Sequence, residues 1–402
     1  MATWFLIIIY LAFISLGIPD SLLGAAWPVM HPEIGASFES AGLLSMIVSA
    51  GTILSSLFSG AIIEKFGTGK VTLISCILTA GALLGFSFSP SLLWLLILAI
   101  PLGLGGGAVD AGLNNYVAIH YKAHHMSWLH CFWGVGATMG PLIMSYFIAN
   151  QNSWRQGYLQ VAMIQFGLVI VLLATLPLWK RVASLKQSSE SAGKAEPLSQ
   201  NMVTQTETMR HTNLLRIKGV KPSLIAFLFY CGVEATVGLW GASYLVGSKN
   251  ISAETAASWI SLYYGGITVG RLITGFITLK MNNRVLILLG QLVALTGGLI
   301  LLLPLPDIFT LIGFILIGLG LAPIYPGLLH ETPERFGKEN SAKLMGYQMA
   351  VAYTGTTLLP PLFGLIASYA SISLFPVSAL AFILFMLISS EKVNRTLKQR
   401  SL

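Results

Sequence analysis

The sequence predicts an all-α membrane protein: twelve transmembrane helices in two six-helix halves related by a parallel repeat. Three observations carry this. Twelve apolar stretches each approach or exceed the roughly 20 residues a helix needs to cross a bilayer. Of the 23 Lys and Arg residues, all but Arg155, Lys249 and Arg271 lie in or at the edges of alternate gaps between those stretches. The first half of the chain also recurs in the second at a fixed offset of 215 residues.

Composition supports the class. Of 402 residues, 55% are hydrophobic and 9% charged, against about 25% charged in a soluble domain. Such a surface requires lipid as its solvent. The net charge of +8 would suggest nucleic acid in a soluble chain. Here it follows from topology, because cytoplasmic loops retain basic residues beside an anionic leaflet. The partners expected are therefore the lipid bilayer and a small polar solute, with no nucleic acid and a monomeric chain. The three cysteines, Cys76, Cys131 and Cys231, all fall in spans and form no metal-binding or disulfide pattern. No basic residue precedes the first apolar run, so that run is expected to remain as the first helix rather than act as a signal peptide.

In order, the spans are expected at 3–30, 38–63, 70–90, 92–120, 127–150, 156–179, 222–248, 254–279, 285–304, 307–331, 341–369 and 373–390. The even count and the basic tail (Lys392, Arg395, Lys398, Arg400) put both termini in the cytoplasm. A plasma membrane, of the bacterial inner-membrane kind, is the expected location. The gap at 180–221 is rich in Ser, Gln, Thr and Lys and poor in aromatic residues. It cannot bury enough apolar surface to fold alone. The domains are thus 1–179, a cytoplasmic linker at 180–221, 222–391, and a tail at 392–402.

The repeat is specific in three helices. Gly51, Leu57, Gly60 and Lys65 recur as Gly266, Leu272, Gly275 and Lys280. Gly103, Leu104, Gly105, Gly112 and Leu113 recur as Gly318, Leu319, Gly320, Gly327 and Leu328. Gly17 recurs as Gly232, each followed within three residues by a carboxylate, Asp20 or Glu234. Six helices per half make the repeats parallel, with a solute site expected between them near mid-membrane.

This arrangement resembles the major facilitator superfamily. The turn Gly60-Ala-Ile-Ile-Glu64-Lys65-Phe66-Gly67-Thr-Gly69-Lys70 is similar to that superfamily's loop between its second and third helices, with Glu64 where Asp is usual. Glu64, Lys65 and Lys70 are candidates for a latch that holds the halves in one state. The plainer reading is a charged turn that only sets topology.

Three acids lie deep in spans: Asp20, Asp110 and Glu234. A bare carboxylate at mid-membrane costs at least a few kcal/mol, so each is a functional-site candidate. Asp20 follows Pro19, with Gly24 and Trp27 on its helical face. Asp110 has Asn114 one turn later, after the Gly103–Gly107 run that permits close helix packing. His130 and Trp133 share a face of the fifth span. Tyr230 precedes Glu234 by one turn, and Tyr325 and Gln348 add polar groups in later spans, as do Tyr263, Tyr264 and Gln291. Carboxylates and amides can bond hydroxyls, and indole or phenol rings can stack on a pyranose. The alternative for each Tyr or Gln alone is a satisfied helix contact. A carboxylate in a low-dielectric cavity takes up a proton more readily than in water. Asp20 and Asp110 are therefore candidates for proton coupling, with sodium as the competing ion and no cofactor or metal expected.

Four segments resemble the fucose–proton symporter family: Pro19-Asp20-Ser-Leu-Leu, Ala-Val-Asp110-Ala-Gly-Leu-Asn114-Asn115, Leu129-His130-Cys-Phe132-Trp133-Gly-Val-Gly136 and Tyr230-Cys-Gly-Val-Glu234. The resemblance implies roles in proton and sugar binding for Asp20 and Asp110. Three departures accompany it: Asp110 stands where that family has Glu, Asn115 where it has Pro, and His130 and Trp133 where it has amides. They point away from fucose itself and leave sugars open. The expected function is a proton-coupled sugar symporter working by alternating access, with Asn114, His130, Trp133, Tyr230, Glu234, Trp27, Tyr325 and Gln348 as substrate contacts. The alternatives are a proton-coupled drug or metabolite exporter on the same fold and, from another class, a non-transporting membrane sensor. An enzyme is not expected: the sequence holds no nucleophile–base pair, spaced metal ligands or nucleotide motif.

Overall fold

A computed structural model describes residues 2–120, 123–193, 214–278 and 280–398. Its helices are α1 (Ala2–Glu33), α2 (Ser40–Phe66), α3 (Thr68–Ser87), α4 (Leu92–His120), α5 (Ala123–Gln151), α6 (Trp154–Gly193), α7 (Val220–Lys249), α8 (Ala253–Ile277), α9 (Asn283–Leu302), α10 (Asp307–Leu321), α11 (Ile324–His330), α12 (Thr332–Phe336), α13 (Lys338–Tyr369) and α14 (Phe375–Lys398). Twelve spans among the described residues are long and apolar enough to cross a membrane. The fold class is the one the sequence predicts.

Three boundaries differ. The tenth span is not one helix: α10 ends at Leu321 and α11 begins at Ile324, with Pro323 between them. Proline lacks the amide hydrogen that would continue the ladder and crowds the preceding turn. The expected linker at 180–221 is also too long. α6 runs on to Gly193 and α7 begins at Val220, because Arg181 to Ala192 contains no Gly or Pro and several strong helix formers. Residues 194–213 of that linker lie outside the described residues. The expected tail from Lys392 is likewise helical as far as Lys398.

The side bearing the charged turns and both termini is called here the basic side, and its opposite the far side. α1 packs on α5 and α7, α2 on α4 and α13, α3 on α4 and α6, and α5 on α8. Glycines set the closest approaches. A Cβ on Gly103 would collide with the Val48 carbonyl, and one on Gly107 with the Thr52 carbonyl. α4 thus lies directly on α2, as its glycine run predicts.

The first six spans meet the last six mainly toward the far side. There Gly24 abuts the Gly238 carbonyl and Gly42 abuts Pro361. Phe38, in the turn between α1 and α2, stacks on Trp240 of α7 at 4.7 Å between ring centroids. The Ser145 hydroxyl donates to the Glu254 carbonyl at 2.7 Å and pairs with Ser258 at 2.8 Å. The Ser261 hydroxyl donates to the Thr138 carbonyl at 2.7 Å. On the basic side, the turn from α2 to α3 passes through Gly67 at φ 82°, a conformation that favours glycine. Glu64, Lys65 and Lys70 are exposed there, and Glu64 makes no ion pair among the described residues.

Candidate functional site

A cavity of roughly 410 Å³ lies between the two sets of spans, within the range of about 300–1,000 Å³ typical of small-molecule sites. Its first wall comes from α1 to α6, with the carboxylates, His130 and Trp133 on α1, α4 and α5. Gly17 and Gly136 let α1 and α5 meet backbone to backbone, since a Cβ on either would strike the other helix's main chain. That approach brings Trp133 to Asp20, and the indole Nε1–H donates to Asp20 Oδ2 at 2.8 Å. On α4, Asn114 Nδ2 donates to Asp110 Oδ1 at 2.8 Å and to the Asp110 carbonyl at 3.0 Å. The one-turn spacing produces this pair. His130 lines the cavity, edge-on to Phe13 at 6.0 Å.

The second wall comes from α7, α8, α11 and α13. Glu234 lies 3.6 Å from Arg271, an ion pair longer than a hydrogen bond. The Arg271 guanidinium also lies 5.3 Å from the centre of the Trp133 ring, so it faces the first wall across the cavity. Tyr263 donates to the Glu234 carbonyl at 3.1 Å and fixes that turn of α7. The Tyr230 ring packs 5.6 Å from Tyr325, while its buried hydroxyl has no hydrogen bond of normal geometry. Tyr264, Tyr353 and Thr356 complete this wall. Chemically, the cavity offers carboxylates that can exchange protons and bond hydroxyls, several ring faces, and one guanidinium.

Seven sequence candidates thus converge: Asp20, Asp110, His130, Trp133, Tyr230, Glu234 and Tyr325 all line this cavity. Asn114 does not line it but orients Asp110. Two candidates lie elsewhere. Trp27 is fully buried and donates to the Phe38 carbonyl at 2.8 Å. It shares a face with Asp20 but stands seven residues, about 10 Å, further along the helix, where α1 meets the far-side turn. Gln348 is also fully buried. It accepts from the Thr332 hydroxyl at 2.9 Å and donates to the Ser223 hydroxyl at 3.1 Å, so both ends of its amide are occupied away from the cavity.

Arg271 had no role in the sequence reading. The available signal was that it is the one basic residue deep inside a span; its neighbours come from other helices and leave no spacing pattern. Among the described residues, no cluster of His, Cys, Asp and Glu could hold a metal ion.

The sequence model of the Major Facilitator Superfamily matches residues 9–329 and 222–401. "Bypass of stop codon protein 6" of Saccharomyces cerevisiae is 24% identical over 393 residues, covering 90% of this chain and 77% of that protein. The "Cis,cis-muconate transport protein" of Acinetobacter baylyi is 23% identical over 284 residues, covering 68% and 66%. The "Glucose/mannose transporter GlcP" of Bacillus subtilis is 22% identical over 326 residues, covering 79% and 77%. Among solved structures, a D-xylose–proton symporter superposes with a TM-score of 0.70 at 14% identity, covering 95% of this chain and 96% of that one. At that identity the likeness speaks for the fold alone.

Proposed function

The chain belongs to the Major Facilitator Superfamily, and we propose that this multi-pass membrane transporter carries a sugar together with a proton by alternating access. One observation carries the reading. Two deep carboxylates, Asp20 and Asp110, share a single cavity between the halves with the ring of Trp133. The membrane would not tolerate such groups without a task or a partner.

The Asp20–Trp133 bond supplies a coupling device. An indole donating to an ionised carboxylate makes a charge-assisted bond, roughly twice as strong as a neutral one. A proton on Asp20 weakens it and releases the indole to stack on a pyranose face. Asp110, held by Asn114, is the second proton site. The similar glucose/mannose transporter agrees with this solute class. With the basic side in the cytoplasm of a plasma membrane, the far-side contacts support an inward-facing state of a chain that works as a monomer. The latch of Glu64, Lys65 and Lys70 is then disengaged and closes in the other state.

Reconstituted vesicles test the proposal. Under an inward pH gradient they should accumulate a hexose against its concentration, and collapse of the gradient should stop it. Accumulation driven by sodium, or outward flux alone under the same gradient, would replace this reading with sodium coupling or with export. Failure to move any hexose would reject the sugar.

A further inference from the structure

The cavity holds more than a neutral sugar needs. Hydroxyl groups require donors and acceptors, and Asp20, Asp110 and the tyrosines supply them. Arg271 is different. It is a cation placed in a span, where it has a cost, and its surroundings are the Glu234 carboxylate, the Tyr230 hydroxyl and the Trp133 ring. Its nearest acid, Glu234, stands at 3.6 Å, beyond hydrogen-bond range. Its other neighbour is the face of Trp133 at 5.3 Å. The Tyr230 hydroxyl nearby is buried and also lacks a hydrogen bond of normal geometry. Both residues line the cavity. A planar guanidinium with no carboxylate at hydrogen-bond distance matches an incoming carboxylate in bidentate fashion, and a phenol beside it can add a third bond.

The two walls are therefore unlike. One presents acids and an indole, suited to hydroxyls and a ring face. The other presents a cation and a phenol, suited to an acid group. Taking the sugar reading above as its basis, we infer that the solute is a sugar acid, a uronate or aldonate, whose carboxylate is held by Arg271 and Tyr230 while its hydroxyls face Asp20 and Asp110. Glu234 then acts as a built-in competitor. It occupies Arg271 loosely when the cavity is empty and yields it when the solute's carboxylate arrives. Two carboxylates on one guanidinium repel, so this exchange also ties solute arrival to a change in the α7–α8 pairing.

Binding of D-glucuronate, D-glucose and benzoate to the purified full-length chain, followed by calorimetry at one pH, tests this. Glucuronate should bind at least tenfold more tightly than glucose, and benzoate more weakly than glucuronate. Arg271→Gln should remove the preference for glucuronate over glucose. Because that variant leaves Glu234 buried without a partner and so risks misfolding, Glu234→Gln provides a second arm. It frees Arg271 and should raise the ratio of glucuronate to glucose affinity several-fold. Equal binding of glucose and glucuronate, with neither variant shifting the ratio, overturns the inference but leaves the sugar reading standing. Benzoate binding as tightly as glucuronate overturns both. Binding of none of the three overturns the inference as well.

Discussion

The two halves of this protein share a scaffold, matched residue for residue in α3 and α9, and differ in nearly every ionisable group that faces the cavity. α3 and α9 are offset by 215 at both ends, Thr68–Ser87 against Asn283–Leu302. At the same offset, Asp20 corresponds to Ala235, Asp110 to Tyr325, Trp133 to Gln348 and Arg271 to Ser56. On the proposed mechanism the repeat supplies two bodies that move against each other, and the departures from it supply the chemistry. Asp20 and Asp110, with the Trp133 indole, belong to the first half, and a tyrosine cluster with the Arg271–Glu234 pair to the second. A solute between them meets two different surfaces, which gives it a preferred orientation.

The comparison can be broken or sharpened at paired positions. The largest effect is expected at Asp110. Asp110→Asn should abolish proton-driven accumulation in vesicles while leaving exchange of internal for external solute. Its counterpart, Tyr325→Phe, should keep accumulation and lose only a few-fold in affinity. If the asparagine variant accumulates solute at the wild-type rate, the division of labour between halves fails.

Next come the repeated glycines. A Cβ on Gly17 meets the Trp133 backbone, whereas one on Gly232 meets a terminal methyl of Leu359. Overpacking costs about 1–3 kcal/mol where neighbours cannot move. Gly17→Ala should therefore lower the thermal midpoint of the purified protein distinctly more than Gly232→Ala. Equal shifts would mean that the α1–α5 seam yields as easily as a side chain.

Trp133 and Gln348 form the third pair. Trp133→Ala should weaken sugar binding by about 1–3 kcal/mol, through loss of a stacked ring and a hydrogen bond to Asp20. Gln348→Ala should leave affinity intact and reduce stability by a similar amount, because the Ser223 and Thr332 hydroxyls lose a buried partner. Calorimetry and thermal unfolding on both variants separate the two outcomes, and a reversal would exchange the roles assigned to these positions. The smallest effect belongs to Glu64→Gln. It should shift the balance between inward- and outward-facing forms without changing affinity within either. Paired spin labels across the basic ends of the halves would report that shift, and an unchanged distance distribution with and without sugar would reduce the turn to a topology signal.

The fold was legible because a bilayer permits few solutions. Spans must be long and apolar, and basic gaps must alternate. What escaped was local. The break before Ile324 follows from Pro323, which a count of apolar residues passes over, and the extension of α6 to Gly193 follows from helix formers inside a segment read only for its polarity. The acids of the site were legible for the same reason as the fold, since an idle charge in a span is costly. Trp27 misled because sharing a face with Asp20 does not fix depth along the helix. Gln348 misled because an amide finds partners in a core as readily as in a cavity. Arg271 was visible as a cation in a span. Its meaning depended on α5, α7 and α8 lying side by side, which no spacing within one helix reveals.

The far-side seal has a further consequence. Among the described residues, none of the three ion pairs joins one half to the other: Glu33–Arg155 belongs to the first, and Glu234–Arg271 and Glu331–Arg335 to the second. The seal consists of hydroxyl-to-carbonyl bonds, a Phe38–Trp240 stack and backbone contacts at Gly24 and Gly42. Mobile ions screen exposed charges beyond about 8 Å at physiological ionic strength, but such contacts give them nothing to screen. Added salt should therefore leave the far-side seal itself unweakened, and any salt dependence of the balance between states should come from the charged turn on the basic side.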